Sequence, residues 1–311
     1  GFVVTEAVSG VVTGPDGQPL TSFVSNSGTI QADGGMVTLS ASAAGDVIAS
    51  AVNNTGLIQA HTLEERTGRI FLSGGEQGTV EVSGAVDASG ALPGQTGGTV
   101  QVTGRYVGLF DGHINASGDA GGGAVLIGGD LHGQGTVQNA FRTYVSADST
   151  INADALTNGD GGKVVVWADD VTRYFGSITV RGGAQGGDGG SVEVSGKRYL
   201  DFQGRVDALA PRGRTGTLLL DPTDITVVDT GNNATATQVD EFADADVGGA
   251  GQSKVSPATL DGAGANVVLQ AQNDITVTDA INLTSTANAN LTMQAGRSIA
   301  VNASVTTNGA G

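Results

Sequence analysis

Two short patterns alternate along this chain, and their repetition limits its fold more than any other feature. One is Gly-Gly-x-Val-x-Val followed by a small residue, as in Gly97-Gly98-Thr99-Val100-Gln101-Val102-Thr103-Gly104 and Gly189-Gly190-Ser191-Val192-Glu193-Val194-Ser195-Gly196. Looser copies begin at Gly34, Gly78, Gly122, Gly161, Gly216, Ala265 and Ala289. The other is Gly-x-Ile/Val-polar-Ala, as in Gly28-Thr29-Ile30-Gln31-Ala32, Gly56-Leu57-Ile58-Gln59-Ala60, Gly84-Ala85-Val86-Asp87-Ala88 and Gly112-His113-Ile114-Asn115-Ala116. It recurs at Thr150-Ile151-Asn152-Ala153 and Gly204-Arg205-Val206-Asp207-Ala208. Clean intervals between like patterns run about 20 to 28 residues, the spacing of a repeat architecture.

Each unit reads as a strand of three to five residues with period-2 alternation, bounded by Gly, Asn, Asp or Ser. Val100 and Val102 face inward and Gln101 outward; Val192 and Val194 flank an outward Glu193. Helical periodicity is nowhere sustained, a single turn near Leu63–Arg66 apart. Strands this short cannot each bury an apolar face alone. Stacked coils can, because each coil pairs its backbone with the coils above and below. The predicted fold is therefore all-β: a right-handed parallel β-helix (β-solenoid) with loop excursions, its hand following the crossover rule. Composition agrees: 52 of 311 residues are Gly, suited to sharp corners, and only eight Phe, four Tyr and one Trp would have to fit a narrow bore. About a dozen coils at about 4.8 Å would make a rod of about 60 Å. Sandwiches and propellers call for longer strands and more regular hairpins.

Three segments are expected: a shaft over 1–228, an acidic irregular excursion over 229–257, and continuing coils over 258–311. A second insertion is expected over Leu131–Ser149. Both ends fall inside the repetitive texture, as in a piece of a longer chain. The absence of Cys rules out disulfides, Cys-ligated metals and a Cys nucleophile. A net charge of −17 argues against nucleic acid as a partner. No apolar run reaches the length of a membrane helix, so no transmembrane segment is expected.

Longer strings carry a family likeness. Gly161-Gly162-Lys163-Val164-Val165-Val166-Trp167-Ala168-Asp169-Asp170, the stretch from Gly182 to Lys197, and Gly213-Arg214-Thr215-Gly216-Thr217-Leu218-Leu219-Leu220-Asp221-Pro222-Thr223-Asp224-Ile225 resemble the shaft of large two-partner-secretion exoproteins of the filamentous haemagglutinin type. Asn53-Asn54-Thr55-Gly56-Leu57-Ile58-Gln59-Ala60 and Ser256-Pro257-Ala258-Thr259-Leu260 fit the same texture. The resemblance implies a secreted protein on the surface of a Gram-negative bacterium, exported through an outer-membrane β-barrel transporter. Such proteins act as adhesins, biofilm-matrix scaffolds or toxin-bearing shafts. The family's Asn-Pro-Asn-type secretion motif does not occur here, so transporter recognition would belong to an N-terminal domain outside this sequence.

Candidate sites are few. His61, His113 and His132 are scattered without metal-ligand spacing and read as exposed corner residues. Asp87, Asp111, Asp169, Asp170, Asp201 and Asp207 are the carboxylates a β-helix lyase or hydrolase would need on one face, and turn chemistry accounts for them equally well. The Gly-Asp-Gly corners at Asp160 and Asp188 resemble a calcium nonapeptide but lack tandem copies. No catalytic, cofactor or metal residue is therefore expected. Arg beside Tyr recurs at Arg105-Tyr106, Arg173-Tyr174 and Arg198-Tyr199, where outward rings would stack on sugars. Six Asn-x-Ser/Thr sequons, at Asn53, Asn115, Asn233, Asn282, Asn290 and Asn302, are candidates for glycosylation. The expected function is a non-enzymatic stalk or scaffold, with host or matrix glycans and proteins as partners. The alternatives are a self-assembling filament subunit that stacks end to end and a carbohydrate-active β-helix enzyme.

Overall fold

A computed structural model of the chain describes residues 1–5, 10–42, 49–229 and 253–308. Almost every regular element is a short strand, and all strand pairs between coils are parallel. Up to Thr217–Leu220 successive strands belong to three sheets in turn, so each of these coils is three-sided; beyond it the strands alternate between the first sheet and two further sheets of four and two strands. The first sheet has ten strands, beginning Phe2–Val3, Met36–Ser40 and Arg69–Ser73 and ending at Leu291–Ala295. The second has seven, from Ser22–Asn26 to Tyr199–Phe202. The third has seven, from Thr29–Gln31 to Arg205–Asp207. The result is a β-solenoid of about nine turns, with ten rungs in the first sheet giving a stack about 43 Å long. The stack is shorter than the dozen coils expected because several coils are long. Thr99 pairs with Ala124, but Ala124 pairs with Lys163 and Thr217 with Asn266.

The two sequence patterns are the two walls of one corner. In the third sheet Ile58, Val86, Ile114, Ile151, Ile178 and Val206 lie in register and are fully buried, one per coil. Each such side chain contributes about 1.5–3 kcal/mol by leaving water. The polar residue that follows makes the turn: Asp87, Asn115, Asn152 and Asp207 each accept the backbone N–H two residues on through Oδ1. The next residue's carbonyl then receives the N–H of the second glycine in the Gly-Gly pair. Ala88 O accepts from Gly98, Ala116 O from Gly123, and Ala153 O from Gly162. A Cβ on Gly123 would lie 2.1 Å from Gly98 O, and one on Gly190 would lie 2.1 Å from Gly162 O. The glycines therefore form a column in which backbone stacks directly on backbone.

The second sheet is less uniform. Asn26 donates from Nδ2 to Asn54 Oδ1 at 2.7 Å inside the bore. Further along, the inward column ends in Tyr174 and Phe202, stacked with ring centroids 5.7 Å apart. Beyond Tyr199–Phe202 the chain order breaks. Ser253–Val255 pairs with Ile225–Val227 and meets the preceding rung through Ser253 Oγ, which accepts from Leu200 N at 2.9 Å. The later strand thus fills the layer beneath the earlier one. The irregular segment expected over 229–257 lies outside the described residues from 230 to 252. Its end differs from that reading, since Ser253–Val255 is sheet and Ser256 caps a helix at Pro257–Asp261. The insertion expected over Leu131–Ser149 is likewise shorter, because Arg142–Val145 is a regular rung of the second sheet. Among the described residues no helix is long and apolar enough to cross a membrane.

Gly123→Ala should lower stability by about 1–3 kcal/mol through overpacking. Gly28→Ala, where a Cβ meets nothing within 4 Å, should stay within about 0.5 kcal/mol of the parent. Urea denaturation midpoints of the two variants check the difference.

Candidate functional site

The long coil that starts at Ala124 carries a loop over the outer face of the first sheet. Gly128 (φ 71°) turns the chain out at a point where a Cβ would meet Trp167 O at 2.3 Å. Asp130 accepts from Leu131 N and binds Lys163 Nζ at 2.6 Å, pinning the loop to the next coil. A one-turn helix, Leu131–Gly133, follows. Gly133 lies so close against the Trp167 indole that a Cβ there would fall 2.4 Å from the ring. Leu126, Val137 and Val165 complete a small apolar cluster around Trp167, outside the bore. The indole N–H donates to Asp169 Oδ1 at 3.1 Å. The sole tryptophan is thus held under a loop.

The same loop delivers His132 to two carboxylates from later coils. His132 N–H donates to Glu193 Oε2 at 2.9 Å. Its ring Nδ1 lies 2.9 Å from Asp221 Oδ2 and 4.0 Å from Glu193 Oε1. Glu193 is the outward residue of the alternating strand, as expected, but it stands in register between Val165 and Leu219 and under the loop. Its residue exposure is 1 %, and Oε1 has no hydrogen-bond partner among the described residues. Burial pushes its carboxyl above the usual range, against the bond from His132 N–H. Asp221 is set by the corner after Thr217–Leu220, where its N–H donates to Ser195 Oγ. A groove of about 660 Å3 opens beside the cluster, lined by His132, Trp167, Asp169, Lys197, Asp221 and Gln272 among others. His132 is therefore not an isolated corner residue. One nitrogen and two carboxylate oxygens, one from each residue, lie within 4.8 Å of one another.

The Arg–Tyr pairs do not form one surface. Tyr174 points into the bore, with no exposure, so it offers no ring to a sugar. Arg173 and Tyr199 are also buried, at 3 % and 2 % exposure. Arg198 is half-buried and binds Asp170, which also takes Arg142 Nε at 2.9 Å. Burial raises the Asp170 pKa, but these two guanidiniums more than reverse the effect and hold it low. Arg105 and Tyr106 stay partly exposed, with the Arg105 guanidinium 4.9 Å from the Phe141 ring centre. Of the sequons, Asn282, Asn290 and Asn302 are exposed, Asn53 and Asn115 are half-buried, and Asn233 lies outside the described residues.

The carboxylates expected of an enzyme are dispersed. Asp87 and Asp207 sit on the third sheet, Asp201 on the second, and Asp111, Asp169 and Asp170 at corners. Asp160 and Asp188 do stack, one coil apart. Their oxygens are taken by protein donors: Asp160 Oδ1 accepts Asp188 N–H, and Asp188 accepts both the backbone and guanidinium of Arg214. Comparison with protein-family models and with curated proteins finds no match to this chain.

Asp201 is 2 % exposed, and burial lifts its carboxyl to about 6, against hydrogen bonding from Gln203 and the charge of Arg173. A raised native pKa means the folded state binds the extra proton between about pH 4 and 6, so this group's contribution falls as pH rises through that window. Asp201→Asn should therefore gain stability relative to the parent at pH 7, on the order of 3 kcal/mol. The two proteins should converge near pH 4. Thermal or urea unfolding at both pH values checks this.

Proposed function

We propose that this chain is a shaft segment of a secreted bacterial surface protein, an adhesin or matrix scaffold of the filamentous haemagglutinin type, exported by two-partner secretion. The reading rests on one observation: an unbroken parallel sheet of ten rungs whose bore is filled by side chains. A filled rod of this kind transmits force and sets distance. It holds neighbouring regions of a long chain away from a surface and needs no bound ligand to do so. The resemblance of the Gly161–Asp170 and Gly213–Ile225 strings to that family's shafts supports the same conclusion. A non-enzymatic role is supported by the dispersal of Asp87, Asp111, Asp169, Asp170, Asp201 and Asp207 over different faces and corners. The lack of Cys suits a chain that crosses the envelope unfolded and folds outside, rung upon rung.

Antibody to the purified chain should label intact cells of the organism that carries the gene, and added protease should abolish the label. Labelling that appears only after permeabilisation would sink the proposal. New reducing ends or unsaturated sugars on incubating the chain with polysaccharides would overturn the non-enzymatic part.

A further inference from the structure

His132, Glu193 and Asp221 come from three different coils, the second two rungs beyond the first and the third one rung further. Nothing in the stacking of a solenoid requires them to meet. A histidine–aspartate pair alone would be an ordinary surface contact. Glu193 Oε1, buried with no hydrogen bond among the described residues and only the His132 ring nitrogen 4.0 Å away, is the feature that such a contact leaves unexplained. A carboxylate out of water needs either a proton or a cation against it.

We propose that His132 Nδ1, Glu193 and Asp221 form a binding site for one divalent transition-metal ion such as Zn2+. One imidazole and two carboxylates form the mixed nitrogen–oxygen donor set that such ions favour over Ca2+. Their charge of −2 is balanced by the ion. Donor atoms around a tetrahedral ion lie about 3.3 Å apart, so a set already within 4.8 Å closes with small rotamer changes. Glu193 Oε2 stays on His132 N–H, which leaves Oε1 for the metal. The groove beside His132 and Asp221 leaves room for water in a fourth position. Among the other charged groups nearby, Lys197 lines the groove, and two are engaged elsewhere. Lys163 is engaged by Asp130, and Asp169 accepts Trp167 and Asn139. Bound there, the ion would tie the loop to two later rungs.

The only tryptophan lines the same groove, so it reports on the site directly. The purified chain, freed of metal by chelation, is titrated with Zn2+ by calorimetry and with paramagnetic Co2+ by Trp167 fluorescence. One ion per chain should bind, with saturable quenching by Co2+ and a higher melting temperature in Zn2+. Glu193→Gln keeps an acceptor for His132 N–H and should weaken binding at least about tenfold, as should Asp221→Asn. Circular dichroism establishes that both variants fold. If both are unfolded, His132→Gln on the exposed loop serves as the ligand deletion. No saturable response in the parent up to about 1 mM metal overturns the site. Undiminished affinity in the folded variants overturns it equally, and leaves Glu193 neutralised by a proton.

Discussion

Everything in this molecule hangs on a corner with no room for a side chain. Where the third sheet passes to the first, Gly98, Gly123, Gly162 and Gly190, each the second glycine of a Gly-Gly pair, stack on the carbonyl of a glycine one coil back. That contact fixes how closely coils approach, and the approach lets both neighbouring coils satisfy the backbone. Parallel pairing then needs no covering helices, because the inside of the rod is its own second face. Bulky residues are excluded from the corner by contact and from most of the bore by width. The unusual composition is thus a direct result of geometry.

The uniform bore contrasts with an uneven exterior. Inward columns are almost wholly aliphatic, and the Asn26–Asn54 pair, Thr143 with Thr172, and the Tyr174–Phe202 stack are exceptions in the second sheet. On the outside, corner carboxylates are engaged by N–H groups and guanidiniums of adjacent coils. Many of the acids that give the chain its charge therefore serve as cross-braces between rungs.

What the sequence made legible follows from its period. Alternation over three to five residues assigned Val100 and Val102 inward and Gln101 outward, and the structure agrees, because facing is a local property. The Gly-Gly and polar-Ala strings marked corners for the same reason. Meetings between coils were not legible. His132 reaches Glu193 and Asp221 across coils of 39, 28 and 26 residues, lengths set by insertions and not by the motif. Arg173 and Tyr199 face outward in pattern yet are buried, since alternation says nothing about what covers a sheet. The place of Ser253–Val255 was hidden too, because a strand's neighbour in a solenoid is normally the coil just made.

That out-of-order strand has a bearing on how the rod assembles. A stack built rung upon rung can lengthen as fast as chain is supplied, each coil resting on a finished one. At Tyr199–Phe202 the next layer is formed by residues that arrive after Ile225–Val227. That layer is complete only with residue 255, and the helix at Pro257–Asp261 follows at once. The rod therefore cannot be completed strictly in chain order: one of its layers is filled by residues that follow the layer beyond it.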